Sequence, residues 1–454
     1  MNPRVAVLGG GISGLVAAYR LRRLLGDSVD IEMFERSDHV GGTLHSVEVG
    51  GIRLDVGAEA FLVRRPEATA LVQELGLTHL LVHPGTLGPN ILSGASLHPV
   101  ARPTLMGIPG DPDTVAYLAE ADDLRLMARE PARALKWRSG QDISIGELVG
   151  DRFGRSVVER SVDPMLSGVY SARSDDLGLR AVMPGLAARL DAGAPDLTSA
   201  VTSLLGAATG SGPVFGALLG GYPVLVDELL RQSAPTVHVE TSVGEVRRTP
   251  RGWAVDGEPF DGVVCALPAP VTAEIFASVE EIAQPLAGID VSGSAVVAMA
   301  LDSGVELPQL SGVLVAGDET SVRAKAFTFS SRKWNHLAGD GGAVRTSFGR
   351  YGASVSGIDD RQLIDWASTD LGVVMALAGQ EQTPVPVRAA VVQRWPGGIP
   401  RYAPGHAGLV SQVDRDRPAR LVLAGATYSG VGVPACIGRA DAVARVLVTD
   451  LAGG

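Results

Sequence analysis

Apolar positions along the chain change their period several times, and each change marks an element. Arg4-Val5-Ala6-Val7-Leu8 is a short apolar run of strand type, and beyond a glycine cluster residues 15–21 take helical spacing. Residues 29–35 read as a second strand. From 75 to 110 the chain is rich in Gly, Pro and Leu with little helical repetition, whereas 113–205 turns helical and carries a capping signal at Ser144-Ile145-Gly146-Glu147. Residues 237–243 and 252–255 return to strand character, and 262–268 read as a buried strand. Further strands are expected at 294–301, 326–330 and 343–350, and a last strand over 420–426 precedes a helix over 435–451.

A Rossmann-like core, which the glycine cluster after the first strand implies, must collect strands from both ends of the chain, so the middle is expected to be inserted into that core rather than appended to it. The expected fold class is α/β: a Rossmann-like nucleotide domain interrupted by a β-sheet substrate domain and a mostly helical subdomain. The nucleotide domain takes 1–85, 206–270 and 391–454, with a connection toward the substrate site at 86–110, the helical subdomain at 111–205 and the substrate-binding sheet at 271–390. A chain of 454 residues, at ~100–200 per domain, has room for two or three such cores.

Hydrophobic residues at 46% and charged residues at 20% describe ordinary globular usage and exclude disorder. The formal charge of -11 would repel a phosphate backbone, so nucleic acid is not an expected partner. Only three basic residues are Lys (Lys136, Lys325, Lys333), a trait that reads as base composition rather than mechanism. Two cysteines, Cys265 and Cys436, are too few for a disulfide framework or a four-ligand zinc site. The first residues lack a signal-peptide pattern, so the cytoplasm is the expected compartment. The most apolar window, 214–230, is interrupted by glycines, Pro223, Asp227 and Glu228, which leaves membrane contact peripheral at most.

Candidate chemistry starts at Gly9-Gly10-Gly11-Ile12-Ser13-Gly14, a G-x-G-x-x-G between strand and helix. Gly9 permits the tight turn, Gly11 lets the backbone approach a pyrophosphate, and Gly14 lets the helix pack close, while free amides at the helix start face the anion. Glu35, 21 residues beyond Gly14, ends the next strand where an acid hydrogen-bonds an adenosine ribose. Together these define a dinucleotide site, with FAD and NAD both open on spacing alone.

Arg36, Gly41, Gly42 and Thr43 follow, then Gly57-Ala58-Glu59-Ala60. Here the chain resembles the flavin amine oxidase and protoporphyrinogen oxidase superfamily, in which a double glycine follows the ribose acid. That resemblance implies FAD, held non-covalently by Gly9, Gly10, Gly11, Ile12, Ser13, Gly14, Glu35, Arg36, Gly42, Thr43, Gly57, Ala58, Glu59 and Ala60, with Val243 at the adenine. His39 stands where many members carry Arg. At the far end a strand closes on Gly425, and a glycine-rich turn through Val431, Gly432 and Val433 opens a helix with Pro434 in its first turn. This second set of amides is implied to meet the flavin's phosphate and polar edge. Cys436, inside that helix start, reads as a buried small residue rather than a covalent link.

Four internal stretches resemble one branch, the bacterial protoporphyrinogen and coproporphyrinogen III oxidases: Gly146-Glu147 through Val158-Glu159-Arg160, Asp163 through Ser171, Phe215-Gly216 with Gly220-Gly221, and Phe327 through Trp334. Arg394-Trp395-Pro396 with Pro400, Tyr402, Gly405 and His406 extends the likeness, whereas Leu337-Ala338-Gly339 departs from the branch's Arg-Ala-Pro element. The resemblance implies an FAD-dependent oxidase of heme biosynthesis that removes six electrons from a porphyrinogen and reduces oxygen to hydrogen peroxide, chemistry that needs neither nucleophile nor metal. It places the backbone around Gly168 beside the reacting methylene bridge, with a plain helix-ending turn as the equal alternative. Arg102, and after it Arg350, are the candidates for substrate carboxylates. His39, His98 and His406 show no metal spacing. Coproporphyrinogen III, with four propionates, is the expected substrate. Protoporphyrinogen IX is the alternative, and a non-catalytic porphyrin-binding flavoprotein serving a downstream ferrochelatase is the reading from another class. The low aromatic content, 5%, argues against an amine pocket.

Overall fold

The computed structural model describes residues 2–207, 212–339, 341–380 and 385–453. Five parallel strands make the nucleotide sheet, in the order Thr236–His238, Asp30–Phe34, Arg4–Leu8, Gly262–Cys265 and Leu421–Leu423, so it collects strands from both ends and the middle of the chain. Alternation along the central strand explains its position. Val5 and Val7 enter one core with the helices Ile12–Leu25, Pro223–Ser233 and Val433–Ala452, while Ala6 and Leu8 enter a second core with Trp253, Phe276 and Ile282. The strand expected over 237–243 stops at His238, because the chain then turns along Glu35, where the Thr241 N–H donates to the Glu35 carbonyl at 2.9 Å.

The second sheet has seven strands, in the order Val387–Pro400, Val291–Leu301, Ala343–Phe348, Ala326–Phe329, Gly312–Val315, Pro89–Ser93 and Ser96–Pro99. Two features differ from the expected division. Val387–Pro400 runs through position 391, where the nucleotide domain was expected to resume; it is an edge strand, paired only to Val291–Leu301, and an edge tolerates Pro396 and the glycines after it. Residues 89–99, expected as a connection, form the opposite edge of the same sheet.

One face of this sheet is closed by the helix Asp360–Leu377, which packs on Val297, Met299, Phe327 and Phe329. The other face looks toward the nucleotide domain and the helical subdomain. That subdomain has its own core around Phe153, Val157 and Leu166. It is tied internally by a buried ion pair in which Arg152 Nε donates to Glu130 at 2.7 Å, and Glu130 also accepts the Leu197 N–H at 2.9 Å. The Ser144 cap forms as the sequence suggests, accepting the Glu147 N–H at 3.0 Å. Among the described residues no helix is long and apolar enough to cross a membrane, and no cluster of His, Cys, Asp or Glu could hold a metal ion.

Candidate functional site

The helices Ile12–Leu25 and Val433–Ala452 pack side by side and start at the carboxyl edge of neighbouring parts of the nucleotide sheet. Neither start carries a side-chain cap or an acidic residue in its first turn, so both leave amide donors and a positive dipole end for an anion. The Gly41 N–H donates to the Gly10 carbonyl at 2.8 Å, which draws the second glycine pair against the first. Two of the glycines serve different ends. A Cβ on Gly14 would collide with the Gly9 carbonyl oxygen, so the fold itself demands glycine there. A Cβ on Gly11 would meet nothing nearer than Gly42 Cα at 4.0 Å, which leaves open space at the helix start where a phosphate can approach.

Glu35 stands at the mouth of this cradle, accepting the Gly10 and Ser37 N–H groups at 2.9 Å each. A carboxylate has lone pairs left for ribose hydroxyls after two such bonds. Val243 is half-buried in the loop that runs beside Glu35, whereas the Arg36 and Thr43 side chains are exposed. Gly425 precedes the short helix Ala426–Ser429, and Val433 is buried. Cys436 is buried as the sequence reading has it, and burial pushes its thiol up to about 11, which leaves it without a thiolate at neutral pH. The uncapped helix starts, open backbone and single carboxylate fit the pyrophosphate and ribose of FAD.

Residues 57–60 lie between the strands Ile52–Asp55 and Phe61–Leu62 and are bonded to residues of the large sheet. Glu59 is the hub, at 2.5 Å from Lys333 Nζ and 3.3 Å from Arg345, and it accepts the Ser330 hydroxyl at 2.9 Å. Arg345 also donates to the Gly57 carbonyl at 2.8 Å, and Trp395 Nε1 donates to the Val56 carbonyl at 3.0 Å. Burial alone would raise the Glu59 carboxyl, but Lys333 and Arg345 overcome it and hold it at about 2. A permanently ionised Glu59 fastens the cofactor segment to the sheet and has no proton to give. Behind it opens a cavity of about 510 Å³ lined by Asp55, Trp334, His336 and Leu337, at the segment where the chain departs from the branch pattern.

The face of the large sheet turned toward Glu59 is only partly covered. In register across three strands, Leu314, Ala326 and Ser347 are half-buried, as is Thr328 beside Arg345, while the residues alternating with them are buried in the opposite core. Gly168 lies over this face. It is exposed in the last turn of the helix Asp163–Tyr170, and the nearest atom to a Cβ there would be Leu314 Cδ2 at 3.7 Å. Of the two carboxylate candidates, Arg102 is exposed and makes no hydrogen bond or ion pair among the described residues. Arg350 is half-buried at the end of the Ala343–Phe348 strand, two residues beyond Phe348. Next to it is a residue the sequence reading passed over: Lys325, 6% exposed, whose Nζ donates to Ser171 Oγ at 2.5 Å and to the Gly349 carbonyl at 2.7 Å. Burial, with the Arg350 charge beside it, pulls the Lys325 ammonium down to about 7. His406 is buried, with a ring nitrogen 2.8 Å from the Thr427 carbonyl, and His98 stacks on Tyr117; both are packing residues.

This fold and cradle define a flavin-dependent oxidoreductase. The chain belongs to the flavin containing amine oxidoreductase family, whose model matches residues 12–448. It is 44% identical over 460 residues to the coproporphyrinogen III oxidase of Mycobacterium tuberculosis, covering 99% of both chains. It is 26% identical over 481 residues to the coproporphyrinogen III oxidase of Bacillus subtilis, covering 98% of both. A solved structure from Exiguobacterium sp. 255-15, assigned as a protoporphyrinogen oxidase, superimposes with a TM-score of 0.85 at 25% identity, covering 100% of this chain and 99% of that one.

Proposed function

We propose that this protein oxidises coproporphyrinogen III to coproporphyrin III in heme biosynthesis, with FAD bound non-covalently and oxygen reduced to hydrogen peroxide. Support comes from the end-to-end likeness to the mycobacterial coproporphyrinogen III oxidase, joined to a half-covered sheet face that lies between Glu59 and Gly168. When bound, FAD supplies the two-electron acceptor for a hydride from a methylene bridge. Each of three rounds removes one hydride and one proton, and three molecules of oxygen become three of hydrogen peroxide. The chain's own part is placement: Ala326, Thr328 and Ser347 offer a small-residue surface to a flat ring, and Gly168 bears no side chain to hold that ring away. Arg350 and Arg102 are the arginines assigned to its carboxylates, and cytoplasmic operation follows from the same reading.

Aerobic incubation of the FAD-loaded protein with each porphyrinogen, followed by porphyrin fluorescence and peroxide, tests this. Coproporphyrin should form faster than protoporphyrin. The Exiguobacterium likeness favours protoporphyrinogen IX as the second substrate, and a reversed preference would establish it. Flavin-loaded protein inert toward both would leave a porphyrin-binding flavoprotein.

A further inference from the structure

Three cationic side chains are buried among the described residues: Arg152, Arg345 and Lys325. Arg152 is paired with Glu130 and Arg345 with Glu59. Among the described residues Lys325 has no carboxylate within ion-pair distance, although taking an ammonium out of water without a partner is costly. Its two acceptors are neutral, and the charged group that acts on it most is another cation, Arg350, which itself makes no side-chain hydrogen bond or ion pair among the described residues. Arg173 adds a third positive charge near Arg350, and Asp163, the acid that acts there among the described residues, has its carboxyl pushed up by burial. The cluster is thus short of negative charge by its own construction.

Its location says what the missing anion belongs to. Arg345, Ser347 and Gly349 follow one another at two-residue spacing, so Arg345 marks the Glu59 end of the open face and Gly349 its far end. Ser171, the other partner of Lys325, caps the helix that carries Gly168. We propose that Lys325, with Arg350, forms a carboxylate subsite at the end of this face remote from Glu59, and that it takes a propionate of the tetrapyrrole. The ligand's carboxylate supplies the counter-charge that the protein withholds, while the remaining Lys325 N–H and the Arg350 fork supply its hydrogen bonds. This rests on the porphyrinogen reading of the same site.

The test is equilibrium binding of coproporphyrin III, and of its tetramethyl ester in mild detergent, read by porphyrin fluorescence on native protein, Lys325→Met and Arg350→Gln. Flavin content and melting temperature report whether each variant has folded; Arg350→Gln, at a half-buried position, keeps the test usable if Lys325→Met does not fold. Loss of one charged hydrogen-bond partner should weaken binding of the acid roughly ten- to a hundredfold, with ester binding unchanged. Equal affinities of native and variant protein for the acid, or acid and ester weakened alike, would overturn the subsite. Turnover reports separately: native protein that binds the acid through this subsite yet oxidises neither porphyrinogen defeats the catalytic reading alone.

Discussion

The cofactor cradle and the substrate face are built on opposite principles. In the proposed cradle around Gly11, Gly42 and Gly432, FAD would meet backbone: amides at two uncapped helix starts, with Glu35 as the main side-chain contributor. Across the large sheet the proposed tetrapyrrole would meet side chains, drawn from strands and a helix end that the fold brings together; Lys325 and Ser171 are 154 residues apart. A backbone site needs neighbouring residues in one local conformation and so leaves a contiguous glycine signature. A side-chain site needs only the right face of the right strand, and its members can lie anywhere in the chain.

The cradle should therefore fail from steric intrusion and the face from loss of charge. The largest effect is expected for Gly14→Val, whose side chain has no room beside the Gly9 carbonyl. Purified protein should lack visible flavin absorbance or be insoluble, and normal flavin content would mean that the close packing of the first helix is dispensable. Glu59→Gln strikes the joint between the two regions by leaving Lys333 and Arg345 without their carboxylate, at a cost of about 3 kcal/mol in denaturant unfolding. A change within error of zero would show that the two regions are held together elsewhere.

Asp55 sharpens the comparison as a group outside both ligand contacts. Burial raises its carboxyl to about 6, against the bonds it accepts from Ser46 and Tyr222. A carboxyl whose folded value lies above its unfolded one stabilises the fold while protonated; that contribution is complete below the unfolded value of 3.8 and is lost as pH rises through about 6. Asp55→Asn, which retains an oxygen acceptor and never ionises, should match native stability in acid and exceed it by about 3 kcal/mol near neutrality. A stability difference that does not vary with pH would refute the assignment. The smallest effect is expected for Glu35→Gln, with FAD held about tenfold more weakly because a neutral amide replaces a charged acceptor. Titration of stripped protein with FAD reads this directly, and unchanged affinity would remove Glu35 from the cradle.

What the sequence discloses follows the same divide. Residues 4–34 announce their strand, turn, helix and second strand in order, because each is set by neighbours, and the structure places them so, with Glu35 next in the chain accepting the Gly10 N–H. The strand Val387–Pro400 was harder to read, since Pro396, Gly397 and Gly398 look like a break until its edge position is known. Lys333 and Arg345 gave no sign of their shared partner Glu59, which lies far away in the chain. In a chain with only three lysines, two are bonded between distant segments, Lys325 buried and Lys333 half-buried.

The central claim is that one chain holds a flavin in a backbone cradle and a tetrapyrrole on the adjoining sheet face, close enough for oxidation. The most direct measurement is anaerobic mixing of flavin-loaded protein with coproporphyrinogen III, following the visible flavin absorbance on the timescale of turnover. Bleaching at least as fast as aerobic porphyrin formation is the expected result. Flavin that stays oxidised in the presence of saturating porphyrinogen would contradict it.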